Sequence, residues 1–164
     1  VTDLTNRIQG PTAARKVVVA GFVVGVVCSL IGSQIMGEFG PLVSFRVAVG
    51  SGLAFLVAQL VDIFVFNRLR EQGWWKAPFV STLVGATLDT VIFFTIAFSA
   101  ALTILEPAND VSWAGEVLPV LGLGPDAPLW VSLAIADWLV KMALALVALV
   151  PFRVLVQRWS TKVA

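Results

Sequence analysis

The chain has 164 residues, of which 59% are hydrophobic and 13% are charged, and its net charge is +1. Soluble domains carry about 25% charged residues, and a domain of this length has too little interior to hide so much apolar surface from water. The composition therefore excludes an ordinary soluble protein and predicts one that lies in a lipid bilayer. The small net charge gives no electrostatic reason to expect a nucleic-acid partner.

The residue types present also limit the chemistry. The chain has one cysteine, Cys28, and no histidine, so we expect no internal disulfide and no zinc, haem or iron–sulfur site. Catalysis by a nucleophile paired with histidine is excluded, and the sequence has no G-x-x-x-x-G-K-[ST] segment for ATP hydrolysis. We therefore predict a protein that is not an enzyme and that uses no metal or other cofactor.

Four long apolar runs dominate the chain. The polar start, VTDLTNRIQGPTAARK, lacks the pattern of a cleavable signal peptide, and the runs follow at residues 17–36, 42–66, 77–105 and 129–151. Each run has the roughly 20 apolar residues that a helix needs to cross a bilayer, and helices satisfy the backbone in lipid. We predict an all-α polytopic membrane bundle of four transmembrane helices, forming one integral membrane domain over residues 1–164.

The distribution of basic residues predicts the orientation of these helices. Lys and Arg occur before the first run, between the second and third, and after the fourth, at Arg7, Arg15, Lys16, Arg68, Arg70, Lys76, Arg153, Arg158 and Lys162. The other two connections contain neither residue type. Because cytoplasmic loops are enriched in Lys and Arg, we expect both termini to lie on the cytoplasmic side.

Five charged residues lie within or just inside the apolar runs: Arg46, Asp62, Asp89, Asp137 and Lys141. A charge at the centre of a membrane helix costs about 2.5–3.5 kcal/mol on insertion scales, so such residues face the bundle or a hydrated cavity. From the rise of about 1.5 Å per residue, Asp89 and Lys141 both fall near the middle of the membrane. Asp137 lies one helical turn from Lys141 on the same face.

Two interpretations of these charges remain open on the residues alone. In the first, Asp137 pairs with Lys141 and the other charges reach an interface, as the long side chain of Arg46 can. In the second, the charges line a shared cavity that binds a polar small molecule. Polar and small residues beside the acids favour the cavity: Gln59 is near Asp62, and Ser81, Thr82, Gly85 and Thr90 are near Asp89.

The residues around these acids also suggest the chemistry of a ligand. Six aromatic side chains neighbour the acids in sequence and are able to stack on a planar ring: Phe64, Phe66, Phe93, Phe94, Phe98 and Trp138. A guanine-like edge offers adjacent N–H donors to a carboxylate and acceptors to a cation or an amide. Acids, an amide and a lysine therefore fit a purine-like solute, although the residues alone indicate only a polar small molecule.

Four segments resemble the queuosine precursor transporter family, within the vitamin-uptake-like transporters. They are TDLTNRIQGPTAARK, SGLAFLVAQLVDIFVFNRLR, WWKAPFVSTLVGATLDTVIFFTIAF and ADWLVKMALALVALVPFRVL, and together they cover nearly the whole chain. The resemblance implies a protein of the bacterial inner (plasma) membrane that imports 7-deazaguanines, preQ0 or preQ1, for queuosine modification of tRNA. Its partners are then a small purine-like substrate and the lipid bilayer.

The resemblance also marks candidate site residues. The substrate-binding candidates are Gln59, Asp62, Ser81, Asp89, Asp137 and Lys141, and the accessory candidates are Asp3, Arg7, Arg46, Thr82 and Thr90. We expect Asp89, Asp137 and Lys141 to form a site at mid-membrane depth, with Gln59 and Asp62 lining its cytoplasmic exit. We predict no catalytic residue and no metal ligand.

The chain departs from the family in one large respect. Family members usually have six spans, with the TDL motif after the second, whereas this sequence starts at that motif and has four, so the N-terminal pair is expected to be absent. Two other functions remain open. One is a substrate-binding membrane subunit of an energy-coupling-factor transporter, which works with a separate ATPase. The other is a non-transporting membrane interaction protein, and a homo-oligomer is compatible with each function.

Overall fold

The computed structural model describes residues 1–38 and 40–160. Five α-helices account for most of them: α1 (Thr2–Gln9), α2 (Pro11–Gln34), α3 (Phe45–Leu69), α4 (Lys76–Phe98) and α5 (Leu129–Ser160). Short antiparallel strands, β1 (Met36–Gly37) with β2 (Gly40–Pro41) and β3 (Val117–Pro119) with β4 (Asp126–Pro128), lie in the connections. Short 3-10 segments cover Ala100–Leu105, Ser112–Gly115 and Val120–Gly122.

Helices α2 to α5 are each long and apolar enough to cross a membrane. They confirm the prediction of an all-α membrane bundle with four spanning helices. Helix α2 begins at Pro11 rather than at residue 17, because proline is favoured in the first turn of a helix, where its missing N–H has no partner to lose. Helix α3 begins at Phe45 rather than at residue 42, where the side chain of Ser44 caps the helix by accepting the N–H of Val47.

The ends of the last two spans differ more from the sequence prediction. Helix α4 ends at Phe98, because Ser99 is extended and its hydroxyl starts the following 3-10 turn by accepting the N–H of Ala101. Helix α5 continues through Pro151 to Ser160, as membrane helices tolerate an internal proline. The predicted basic residue Lys162 lies outside the described residues.

Helices α3 and α4 form the most extensive helix pair, and glycine permits their close approach at two points. A Cβ atom on Gly50 would lie 3.4 Å from the backbone oxygen of Phe93, and one on Gly85 would lie 3.3 Å from the Cβ of Asp62. Small residues let membrane helices approach in this way. The crossing places the polar residues of α3 directly against α4. Helix α2 also packs on α3, and α5 packs on α4.

The short helix α1, which the sequence analysis did not predict, packs beside the end of α3. Asn6 is fully buried and donates to the backbone oxygen of Ile63 at 3.3 Å. Arg7 donates to the backbone oxygen of Arg70, and Arg70 donates to that of Arg7 at 3.2 Å. These contacts bring the polar start of the chain to the connection between α3 and α4.

The two ends of the bundle differ in charge. One end, called the basic end here, comprises α1, the α3–α4 connection and the last turns of α5, where Arg153 lies 4.8 Å from the ring centre of Trp74. The other end, the acidic end, comprises the α2–α3 and α4–α5 connections. Its described charged residues are all acids: Glu38, Glu106, Asp110, Glu116 and Asp126.

Candidate functional site

An ionic cluster joins α4 to α5 within the bundle. The ammonium group of Lys141 donates to Asp89 Oδ2 at 2.6 Å, to Thr90 Oγ1 at 3.2 Å, and to Asp137 Oδ2. Thr90 donates its hydroxyl to the same oxygen of Asp137 at 2.7 Å. The side chains of Lys141 and Asp89 are each 31% exposed. We call Asp89, Thr90, Asp137 and Lys141 the ionic cluster.

The composition of the ionic cluster leaves it able to bind a further group. Asp89 and Asp137 carry two negative charges against the single positive charge of Lys141, and each carboxylate has acceptor positions beyond the contact with the ammonium group. The predicted ion pair between Asp137 and Lys141 does form, and Lys141 forms a second ion pair with Asp89. The four residues therefore meet in one place instead of reaching separate surfaces.

Two cavities meet at the ionic cluster. Cavity 1 has a volume of about 1250 Å³ and extends toward the acidic end between α2, α3 and the ionic cluster. Cavity 2 has a volume of about 630 Å³ and extends toward the basic end between α1, α3, α4 and α5. Phe55, Asp89 and Lys141 line both cavities. A ligand at these three side chains would be in contact with both cavities.

A second polar group lies in cavity 2, about two helical turns from the ionic cluster along α4. Asp62 is 6% exposed and lies beside Asp3 and the buried Ser81. Gln59 accepts a hydrogen bond from Thr2 at 3.1 Å, and Thr82 lines the cavity nearby. Burial, and then the neighbouring carboxylate of Asp62, raise the pKa of Asp3 to about 8.

Two accessory candidates lie away from both cavities. Arg46 is fully buried and donates to the backbone oxygens of Ile96 at 3.0 Å and Ser99 at 2.7 Å, at the end of α4. The first interpretation of the charges expected Arg46 to reach a membrane interface, but its side chain stays inside the protein. Arg46 lines neither cavity. Arg7 bonds the backbone of Arg70 and also lines neither cavity. Both arginines hold helices together in this structure.

The aromatic candidates are mostly elsewhere. Phe93 lines cavity 1, whereas Phe64 is 69% exposed on the outside of α3 and Trp138 donates to Thr87 at 3.0 Å outside the cavities. Phe66, Phe94 and Phe98 pack against other aromatic rings. Phe55 lines both cavities but was not among the predicted site residues. Its spacing of four residues from Gln59 places it on the same helix face and was a usable signal.

Glu106 is a second cavity residue that the sequence analysis missed. It lies in the α4–α5 connection and lines cavity 1. Its carboxylate accepts the backbone N–H groups of Phe45 and Arg46 at the start of α3. Because its partners are about 60 residues away in the sequence, no local pattern marks it.

Comparison with known proteins gives a consistent result. The family model described as "Putative vitamin uptake transporter" matches residues 1–156. The Queuosine precursor transporter of Escherichia coli (strain K12) is 34% identical across 92% of this chain and 64% of its own length. The Probable queuosine precursor transporters of Haemophilus influenzae and Bacillus subtilis are 33% and 28% identical across 92% and 90% of this chain.

The chain covers 60% and 62% of the lengths of the Haemophilus influenzae and Bacillus subtilis proteins, so it spans a little under two thirds of the curated relatives it matches. No solved structure matches it significantly. The matched family and all three relatives are described as transporters and none as an enzyme. Since the family model extends over nearly the whole sequence, the chain belongs to the vitamin uptake transporter family.

Proposed function

We propose that this chain forms the ligand-binding membrane domain of an importer of queuosine precursors, 7-deazaguanines such as preQ0 and preQ1, in a bacterial plasma membrane. The observation that carries the proposal is the ionic cluster at the point where two cavities from opposite ends of the bundle meet. The names of the three relatives support the class of substrate.

The ionic cluster suits the hydrogen-bonding edge of a 7-deazaguanine. Such an edge presents adjacent N–H donors, which match a carboxylate, and a carbonyl acceptor, which matches an ammonium group. Asp89 supplies the carboxylate and Lys141 the ammonium group, and Asp137 accepts further donors. Phe55 and Phe93 line the cavities as candidate stacking surfaces for the planar ring system. Cavities of this size fit a small organic ligand.

The placement of the two cavities supports transport rather than binding alone. Transporters expose a central site alternately to each side of the membrane. A ligand entering cavity 1 would reach Asp89 and Lys141 and would leave through cavity 2, past Gln59, Asp62 and Thr82. Because Lys and Arg are enriched on cytoplasmic segments, we assign the basic end to the cytoplasm and the acidic end to the outside.

Uptake measurements test this proposal. Labelled preQ1 is supplied to cells that lack their own transporter and express the wild-type chain, the Asp89→Asn variant or the Thr87→Val variant. Thr87 is two residues from Asp89 but lines neither cavity, so it is a matched control. We expect uptake by wild type and Thr87→Val and a large loss in Asp89→Asn. Uptake equal to that of empty cells, from folded protein in the membrane, would contradict the proposal.

Measurements on purified protein separate the proposal from the other two functions. A subunit that depends on an ATPase partner binds preQ1 but does not transport it into liposomes on its own. A non-transporting interaction protein binds no preQ1, and the Asp89→Asn change then affects only its assembly. Transport into liposomes by the purified chain would exclude both functions.

A further inference from the structure

The α4–α5 connection is tied to the start of α3 through one carboxylate. Glu106 Oε1 accepts the N–H of Phe45 at 3.1 Å, and Oε2 accepts the N–H of Arg46 at 3.0 Å. The side-chain amide of Asn109 donates to the same Oε2 at 3.3 Å. Burial acts to raise the pKa of Glu106, but the two backbone hydrogen bonds and those of Asn109 and Ser44 outweigh it and lower the pKa.

This contact is favourable for a general physical reason. The first N–H groups of a helix have no partner within the helix, and the helix dipole makes that end attractive to a negative charge. Glu106 therefore satisfies donors of α3 with an anion from a distant segment. The side chain of Arg46 makes the converse link, because it bonds the backbone oxygens of Ile96 and Ser99 at the end of α4.

Other contacts attach the α4–α5 connection to α4 and α5. Trp113 packs against Phe98 with 5.6 Å between ring centres, and the backbone N–H of Leu129 bonds the oxygen of Glu116 at 2.8 Å. These contacts tie the connection to α4 and α5, whereas Glu106 ties it to α3. Loss of the Glu106 contact would therefore free residues 100–109 from α3 and leave the ends of the connection attached.

We propose that Glu106 is a gating residue, which holds residues 100–109 against the start of α3 and so controls access to cavity 1 from the acidic end. Glu106, Ser44 and Phe45 all line cavity 1, so separation of this carboxylate from α3 widens the cavity at that end. The meaning of this gate for import rests on the proposed function, but the change in access does not require any substrate.

A role in stability alone makes a different prediction. If Glu106 only caps α3, its neutralisation lowers the stability of the whole bundle and does not change access to cavity 1 selectively. If Glu106 is a gate, its neutralisation changes access to cavity 1 and leaves cavity 2 unchanged. Two cysteine reporters distinguish these cases in a background in which Cys28 is replaced by alanine. Ser29→Cys reports on cavity 1 and Ala145→Cys on cavity 2, and both positions are half-buried.

The test is the rate at which a membrane-impermeant maleimide labels each reporter in the purified chain, reconstituted in lipid nanodiscs. Glu106→Gln is compared with Glu116→Gln, a matched control on the same connection whose side chain is exposed. We expect Glu106→Gln to raise the rate at Ser29→Cys by about tenfold, the effect of weakening hydrogen bonds to a charged group. The rate at Ala145→Cys and both rates in Glu116→Gln stay unchanged.

Unchanged labelling of Ser29→Cys in Glu106→Gln would overturn the proposal, and so would an equal increase at both reporters. Far-ultraviolet circular dichroism shows whether each variant keeps its helices. If Glu106→Gln does not fold, the more conservative Glu106→Asp replaces it, with the same expected direction. Protection of Ser29→Cys by preQ1 is a separate measurement, and its absence would count against the proposed function and not against the gate.

Discussion

Arg46 on α3 and Lys141 on α5 both place a cation within a membrane-spanning helix, yet they are held in opposite ways. Arg46 is fully buried, bonds backbone oxygens and lines no cavity. Lys141 is 31% exposed, bonds two carboxylates and lines both cavities. The first arrangement pairs two of the three guanidinium nitrogens with backbone oxygens inside the protein, whereas the second leaves charged groups within reach of a ligand. Intramembrane charge alone therefore does not mark a binding site.

The largest expected effect concerns stability at Arg46. Arg46→Met leaves the carbonyl oxygens of Ile96 and Ser99 without these donors, and we expect a loss of about 3 kcal/mol in the free energy of unfolding. Arg46→Lys restores only part of it, because an ammonium group lacks the planar fork of a guanidinium. Denaturant unfolding of the purified variants measures both. If Arg46→Met is as stable as wild type but binds preQ1 more weakly, then Arg46 belongs to the ligand site and its structural role is contradicted.

The second prediction concerns the free energy of ligand binding at Lys141, and the expected change is smaller than the change in unfolding free energy at Arg46. Lys141→Met removes a charged donor from the proposed site, and we expect the affinity for preQ1 to fall about 30-fold. The loss of stability is smaller than in Arg46→Met, because Asp89 and Asp137 are partly exposed and water is able to hydrate them. Binding and unfolding measurements on the same preparation test both points. If Lys141→Met lowers stability but the folded protein binds preQ1 with unchanged affinity, then Lys141 has a structural role like that of Arg46.

A further prediction uses pH. Because Asp3 has a pKa of about 8 in the folded chain and an ordinary value of 3.8 otherwise, the folded state holds the extra proton between these values. The contribution of Asp3 to stability therefore falls as pH rises through that window. We expect Asp3→Asn to unfold at a higher temperature than wild type, by a margin that grows from about pH 6 to pH 8.5. A margin independent of pH would show that Asp3 is ionised in the folded chain.

The smallest effect is expected at Thr87, which shares α4 with the ionic cluster but lies outside the cavities. Its hydroxyl accepts from Trp138 and donates to the oxygen of Leu83. Thr87→Val removes both contacts at an exposed position, and we expect a change of about 0.5 kcal/mol in stability and none in preQ1 affinity. A strong binding defect in Thr87→Val would extend the site beyond the two cavities.

The sequence was sufficient for the four spanning helices and for much of the ionic cluster. Apolar runs of about 20 residues require spanning helices, and the spacing of Asp137 and Lys141 places them on one helix face. The depth estimate placed Asp89 at the level of Lys141, and the structure brings them into contact. These predictions rest on local periodicity and length, which a sequence contains directly.

Other features depend on contacts between distant segments and were out of reach. The third apolar run continues to Leu105, but the helix ends at Phe98, where Ser99 turns the chain and Arg46 bonds its oxygen. The burial of Arg46 and the position of Glu106 depend on packing between α3 and the end of α4, about 50–60 residues apart in sequence. Apolarity does not encode where such contacts form.

The most direct test of the central claim is the equilibrium dissociation constant of preQ1 for the purified chain in lipid nanodiscs, compared between wild type, Asp89→Asn and Thr87→Val. If the ionic cluster binds the ligand, wild type and Thr87→Val bind equally and Asp89→Asn binds at least about tenfold more weakly. Equal affinity in all three folded proteins, or binding by none of them, would contradict a binding site at Asp89.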